Sequence, residues 1–392
     1  MQQALLIILL VIFGLYMLLI LYYWKSWVSI PEFKVKNQKS TVKITVIIPA
    51  RNEEENISHC LDSVCNQSYP TALFEVLVVD DHSTDNTATI VKSYADKNVT
   101  LISLKDFVTD ELNSYKKKAI EIAIAQSTGE LIVTTDADCF VKENWLQTIA
   151  AFYEQYDPAF IAAPVAIDCS NKFIEFFQGL DFMTLQGITG ASVYKKIHSM
   201  CNGANLAYTK KVFEEVGGFT GIDNIASGDD MLLMHKIYKL YPDKVMFLKS
   251  KEVIVKTAPV HSVAAFFNQR IRWASKADKY DDKRIFAVLL LVYLVNVLLL
   301  ALPVISVFIK PVYSINLYPF TIVFTVLELW VFLLIIKTIT ELIFLMPVAK
   351  FFGKRSMLWL FPLMQPFHIL YTVIAGWLGK YGSYSWKERK VK

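Results

Sequence analysis

Ile44-Thr45-Val46-Ile47-Ile48-Pro49-Ala50-Arg51-Asn52-Glu53 is a short β-branched run, apolar at all but one position until a proline, followed by a polar turn. A strand apolar on both faces belongs to a sheet covered on both sides, as parallel sheets are. Similar runs occupy residues 76–79, 99–101 and 131–135, and helical periodicity fills 53–65, 85–95, 117–126 and 144–156. This alternation predicts an α/β domain with a mostly parallel, doubly wound sheet and a ligand site outside the carboxyl ends of its strands. Polar residues stand at those ends. Pro49, Ala50, Arg51, Asn52 and Glu53 follow the first run, Asp80 and Asp81 the second, and Asp136-Ala137-Asp138 the fourth.

The rest of the chain is too apolar for a soluble protein. Of its 392 residues 54% are hydrophobic, and the mean hydropathy is +0.38, so part of the chain faces lipid. Residues 4–24 are apolar over the length of about 20 residues that a bilayer core requires. A signal peptide would start basic and exit through small residues. Here the start is Met1-Gln2-Gln3 and the exit Tyr22-Tyr23-Trp24-Lys25, an aromatic belt. Lys25, Lys34, Lys36, Lys39 and Lys43 then mark a cytosolic stretch by the positive-inside rule. Residues 285–309 and 319–348 are also long enough to span. Residues 357–379 contain Pro362 and Pro366 and have basic flanks on both sides, Lys350, Lys354 and Arg355 before and Lys380, Lys387, Arg389, Lys390 and Lys392 after. That favours a segment that does not cross over a kinked span. The net charge of +4 comes without a basic run interleaved with aromatics, which disfavours nucleic acid as a partner. Five cysteines without a zinc-like spacing read as small buried residues in a reducing compartment.

Each motif has two readings by itself. Asp80-Asp81-His82-Ser83-Thr84-Asp85 suits a turn that caps a helix. Asp136 and Asp138, one residue apart after a buried strand, suit either a solvated turn or a pair of hard oxygen ligands for Mg²⁺ or Mn²⁺ completed by substrate phosphate. Gly228-Asp229-Asp230-Met231 opens a helical stretch, where carboxylates also complement the helix dipole. Gln269, Arg272 and Trp273 share one helical face at i, i+3 and i+4, as a membrane-interface helix with a Trp anchor would.

In order and spacing these motifs resemble the membrane-bound family 2 glycosyltransferases, the group of cellulose-, hyaluronan- and poly-N-acetylglucosamine-synthase-like enzymes, closely over roughly residues 44–275. The resemblance implies a GT-A-type domain with flanking transmembrane helices. It places Asp80, Asp81 and the segment from Pro49 to Glu53 around a uridine nucleotide, with Lys117 or Lys118 near the donor. It gives Asp136 and Asp138 to a Mg²⁺ or Mn²⁺ ion on the diphosphate. Asp230 becomes the catalytic base, beside Asp229 in place of the more common Glu. Gln269 and Arg272 are expected near the diphosphate and Trp273 beside the acceptor. His82 stands where a small residue is common. Cys201-Asn202-Gly203-Ala204-Asn205 and Gly217-Gly218-Phe219 resemble the acceptor-side floor.

The implied organisation is a transmembrane helix over 1–24, a juxtamembrane linker over 25–43, a catalytic domain over 44–255, an interfacial segment over 256–284, a membrane region over 285–379 and a basic tail over 380–392. The implied function is an inverting, metal-dependent transfer from a nucleotide-diphosphate sugar, UDP-linked in the first instance, to a lipid or glycan acceptor on the cytosolic face of the inner or plasma membrane. The two other readings are a processive polysaccharide synthase and a non-catalytic nucleotide-sugar-binding scaffold. Protein partners are not legible.

Overall fold

The structure, a computed structural model, describes residues 2–36, 40–108, 112–170, 172–198, 200–225, 228–275, 282–308, 312–317, 320–381, 384–386 and 389–391. Lys39 and parts of the basic tail, including Lys387 and Lys392, lie outside the described residues. The chain forms two compact units, one spanning Ile30–Pro259 and the other built from Met1–Ser29 with Val260–Trp386.

The first unit carries a seven-stranded sheet. Its strands are β1 (Ile44–Ala50), β2 (Phe74–Asp80), β3 (Val99–Ser103), β4 (Leu131–Thr134), β6 (Phe160–Ala162), β8 (Leu206–Thr209) and β9 (Val245–Phe247), in spatial order β3-β2-β1-β4-β8-β6-β9. Neighbours are parallel except β8, which runs antiparallel to both β4 and β6. The expected α/β class and mostly parallel sheet are therefore present. Val46, Ile47, Ile48, Val76, Val78, Ile132 and Val133 are fully buried, which is why these runs are apolar at consecutive positions rather than alternate ones. A second sheet of β5 (Cys139–Phe140), β10 (Val255–Thr257) and β7 (Val165–Ile167), in that order, lies beside Asp136 and Asp138. Its strands are two or three residues long, too short to leave a periodic signal in the sequence.

Helices α2 (Ile57–Cys65), α3 (Thr87–Lys92), α4 (Tyr115–Gln126) and α5 (Trp145–Tyr156) fall within or close to the four expected stretches. They are joined by α6 (Phe173–Lys195), α7 (Lys210–Glu215) and α8 (Met231–Leu240). The segment after the first membrane helix, expected as a linker, packs on this unit. Phe33 meets Phe152 edge-on at 5.1 Å, its N–H donates to the Lys249 carbonyl at 2.8 Å, and Lys249 Nζ donates to the Ile30 carbonyl at 3.2 Å. Burial pushes the Lys249 ammonium down to about 8, against the opposing pull of Glu32.

The second unit contains α1 (Gln2–Ser29), α9 (Val263–Ala274), α10 (Lys283–Phe308), a hairpin of β11 (Val312–Leu317) and β12 (Phe320–Thr325), α11 (Val326–Phe352) and α12 (Phe361–Tyr381). Among the described residues four helices are long and apolar enough to cross a membrane: α1, α10, α11 and the stretch Arg355–Tyr381 that includes α12. Pro362 sits in the first turn of α12, where no helical N–H is lost, and Pro366 lies inside the helix. Three charged residues of this unit, Glu328, Lys337 and Glu341, have partners within it. Glu328 forms a capping box with Thr325 at the start of α11. Lys337 is fully buried, with Nζ 2.8 Å from Glu341 Oε1 and donating to Gln365 Oε1 at 2.7 Å, while Tyr16 donates its hydroxyl to Glu341. Satisfying each charge and amide inside the helix bundle is what permits them in an apolar segment.

Candidate functional site

The carboxyl ends of β2, β1 and β4 lie side by side, so three sequence motifs separated along the chain become neighbours. Asp80 pairs with Ala50 across the β1–β2 ladder, and the Asp81 N–H donates to the Ala50 carbonyl at 2.8 Å. The Arg51 guanidinium donates to the Asp81 carbonyl at 2.8 Å and stands 3.8 Å from its carboxylate. Asn52, in the left-handed region at φ 50°, donates its N–H to Ser83 Oγ and accepts from the Thr84 N–H through Oδ1. The Glu53 N–H donates to Thr87 Oγ1. The 49–53 and 81–87 loops are thus laced together, forming one wall. In that wall Asp80 is 4% exposed, and its Oδ1 has no hydrogen-bond partner among the described residues. A buried acceptor left open in this way is costly unless a ligand donates to it.

Asp136 and Asp138 follow β4. Asp138 accepts a hydrogen bond from Thr257 Oγ1 at 3.0 Å, because the β10–β5 ladder pairs Thr257 with Cys139. Burial, then the nearby charges of Asp136 and Glu53, push the Asp138 carboxyl up to about 6. Crowded anions of this kind suit a divalent cation. Among the described residues no group of three or more His, Cys, Asp or Glu side chains gathers as a complete shell. Two carboxylates with phosphate oxygens to finish the shell are a common arrangement for Mg²⁺, so the residues fit a metal that arrives with its donor.

The acidic pair joins the site through a glycine. Thr134 Oγ1 donates to the Gly203 carbonyl at 3.2 Å, and the Gly203 N–H donates to Asp230 Oδ2 at 3.0 Å. Asp230 also caps α8, its Oδ1 accepting from the Met231 N–H at 2.7 Å. Two oriented N–H groups hold this carboxylate while leaving lone pairs for a further donor. A Cβ at Gly203 would stand 3.4 Å from both Asp229 Oδ2 and Lys116 Nζ, so the loop backbone comes close to the acidic pair.

Lys116 was not among the residues singled out from sequence. Its Nζ lies 2.7 Å from Asp136 Oδ1 and 3.2 Å from Asp229 Oδ2, joining the metal motif to the acidic pair. Burial alone would depress its pKa, but the charges of Asp136, Asp229 and Asp230 lift it well above the ordinary lysine value, so the ammonium is permanent. The two lysines expected near the donor point elsewhere. Lys117 Nζ donates to the Ile222 and Ile225 carbonyls, and Lys118 pairs with Glu121 at the surface, 2.9 Å away. The physical reason is helical phase: α4 begins at Tyr115, two residues before the sequence reading started it, and successive side chains diverge by about 100°. A run of three lysines before a DxD motif signals such a cation without saying which of the three turns inward.

Gln269, Arg272 and Trp273 lie on α9, in the second unit. There the Arg270 guanidinium, 4% exposed, stacks over Phe266 and Trp273 at 4.6 and 4.3 Å and donates to Gln269 Oε1 at 2.7 Å. No disulfide joins the five cysteines among the described residues; Cys60 and Cys139 are buried beside Asp136 and Asp138, and the others are half-buried.

Comparison with known proteins agrees with this fold. Residues 45–217 match the model of the glycosyl transferase family 2. A probable glycosyltransferase of Bacillus subtilis, YdaM, is 26% identical over 263 residues, 63% of this chain and 57% of that protein. The glycosyltransferase AglE of Haloferax volcanii is 29% identical over 189 residues, 48% of this chain and 59% of that protein. The match thus spans little more than half the length of these relatives. Among solved structures, the mannosyltransferase PcManGT from Pyrobaculum calidifontis in complex with GDP-Man and Mn²⁺ superposes with a TM-score of 0.57 over 94% of this chain and 99% of that one, at 20% identity, which shows a shared fold. Residues 45–217 thus resemble a glycosyl transferase family 2 domain, and the chain shares its fold with that mannosyltransferase.

Proposed function

We propose that the protein transfers a sugar from a nucleoside-diphosphate sugar to a lipid acceptor at the cytosolic face of a membrane, inverting the anomeric centre. The observation that carries this reading is the meeting of Asp80, Asp136, Asp138, Asp229, Asp230 and Lys116 at one end of the sheet, in a chain with four membrane-length helices. The open Asp80 Oδ1 accepts from the donor's nucleoside, with Asp81, Arg51 and the rest of the 49–53 loop shaping that wall. Asp136 and Asp138 would hold Mg²⁺ or Mn²⁺, which when bound supplies Lewis-acid neutralisation of the departing diphosphate. Lys116 adds a fixed positive charge beside Asp136. Asp230 takes the proton of the acceptor hydroxyl as the oxygen attacks the anomeric carbon, and the nucleoside diphosphate leaves from the opposite face. One displacement gives inversion. Gln269, Arg272 and Trp273 serve the diphosphate and acceptor side in this scheme, as their likeness to the family motif implies. The lipid acceptor is supported by the membrane-length helices, which among the described residues make a poor channel for a growing chain.

The purified protein in lipid nanodiscs, given radiolabelled UDP- and GDP-sugars and extracted membrane lipid, should place label in the organic phase as one discrete product. A ladder of lengthening products would establish the processive reading instead. Donor binding without either transfer or donor hydrolysis would make the protein a binding scaffold.

The direction of α12 bears on the membrane face. Phe266 on α9 packs against Phe367 and Tyr371 of α12 at 6.0 and 5.2 Å, and a Cβ on Gly379 would clash at 2.6 Å with that of Ala274. The far end of α12 therefore returns to the end of α9, just before α10 begins. This supports the expectation, drawn from the basic flanks, that the segment does not carry the tail across. Single cysteines at Lys36 and Lys390 should both react with an impermeant thiol reagent only from the cytosolic side. Labelling of Lys390 from outside would show a full crossing, and labelling of Lys36 from outside would overturn the cytosolic placement of the domain.

A further inference from the structure

Lys117 is 1% exposed, as buried as the apolar core, yet it carries an ammonium group. Burying such a charge is tolerated only where acceptors surround it. Its Nζ donates at 2.6 Å to each of the carbonyls of Ile222 and Ile225, more than a hundred residues along the chain and just ahead of Gly228-Asp229-Asp230. A second lysine grips the same loop from α8, where Lys236 Nζ donates to the carbonyls of Gly218 at 2.6 Å and Thr220 at 2.9 Å. Gly217, Gly218 and Gly221 in this loop have positive φ, which glycine adopts without steric cost. The neighbouring Lys116, about 100° around α4, meanwhile holds the Asp229 carboxylate. The first turn of α4 thus secures the acidic pair twice, by side chain through Lys116 and by the preceding backbone through Lys117.

We infer that Lys117 is a positioning residue for the acidic pair: its buried ammonium anchors loop 217–225 by the carbonyls and so fixes where Asp229 and Asp230 stand relative to the donor. This rests on the transferase reading above. It differs from a donor-contacting role, because two of the ammonium's three N–H groups are given to backbone oxygens. A misplacement of about 1 Å in a reacting group costs on the order of 10²-fold in rate, so the inference has a measurable size.

The test is Lys117→Met in the full-length protein, which keeps the volume of the side chain and removes its charge. Expected are a fall in kcat for transfer of about 10²-fold, a donor KM unchanged within about twofold, and faster amide hydrogen exchange confined to loop 217–225 and the start of α8. Lys117→Arg, which keeps a buried cation with several N–H groups, should recover part of both losses. A raised donor KM with kcat intact would assign Lys117 to the donor and overturn the inference. Exchange that accelerates across the whole sheet, with kcat per folded molecule unchanged, would make it a plain stability residue and also overturn it. If the methionine variant does not fold, Lys117→Gln, which removes the charge but keeps an N–H donor, carries the same comparison. A wild-type protein that turns over no donor would instead refute the transferase reading, and the exchange pattern would still decide whether Lys117 holds the loop.

Discussion

Asparagine in place of Asp230 is expected to slow sugar transfer by about 10²–10⁴-fold, the range typical of losing a general base, while donor binding stays intact. The substitution is nearly isosteric. The Asn oxygen can still accept from one of the two backbone donors, Gly203 N–H or Met231 N–H, so the start of α8 and the loop around Gly203 remain in place. What disappears is the capacity to take a proton. Asp229→Asn should be milder in its effect on proton transfer, because Asp229 is engaged with the Lys116 ammonium at 3.2 Å. Losing that partner would shift Lys116 toward Asp136, so the donor KM should move more than kcat. Steady-state transfer kinetics with donor binding measured separately decide the matter. If Asp229→Asn abolishes transfer and Asp230→Asn does not, the roles of the two neighbours are exchanged.

Chelation is the second large effect. EDTA should stop turnover, and Mn²⁺ or Mg²⁺ should restore it. Asp138→Asn should weaken metal-dependent donor binding, since the remaining carboxylate of the motif, Asp136, is already shared with Lys116 at 2.7 Å. A pH dependence accompanies this. Asp138 titrates at about 6 because burial and the charges of Asp136 and Glu53 favour its protonated form. Above that value the carboxylate is free to ligate; below it the ion must displace a proton, so metal-supported donor affinity should fall as pH drops below about 6. Isothermal titration of the donor with and without metal, across this range, gives the curve. Full activity in chelator together with normal donor affinity in the Asp138 variant would remove the metal from the mechanism.

Much of the fold could be read from the chain because the information was local. Strands β1 to β4 announce themselves by consecutive apolar β-branched residues, since a strand covered on both faces has no polar side to alternate with. Helices α2 to α5 show in the intervals, and α1, α10 and α11 show by length and apolarity alone. Parallel strands put their carboxyl ends on one edge, so Asp80, Asp81, Asp136 and Asp138 could be expected near one another before any coordinate was known. The remainder depended on contacts between distant parts of the chain. The antiparallel entry of β8 and the short β5-β10-β7 sheet, which brings Thr257 to Asp138, follow from long-range pairing that two- and three-residue strands do not encode in their own pattern. Which lysine of Lys116, Lys117 and Lys118 turns toward the carboxylates is a matter of helix phase, set by where α4 begins when its apolar face meets the sheet. The burial of Lys117 was invisible for the same reason: its partners are backbone carbonyls of Ile222 and Ile225, groups every residue possesses, so only the folded loop could reveal that they converge on one ammonium.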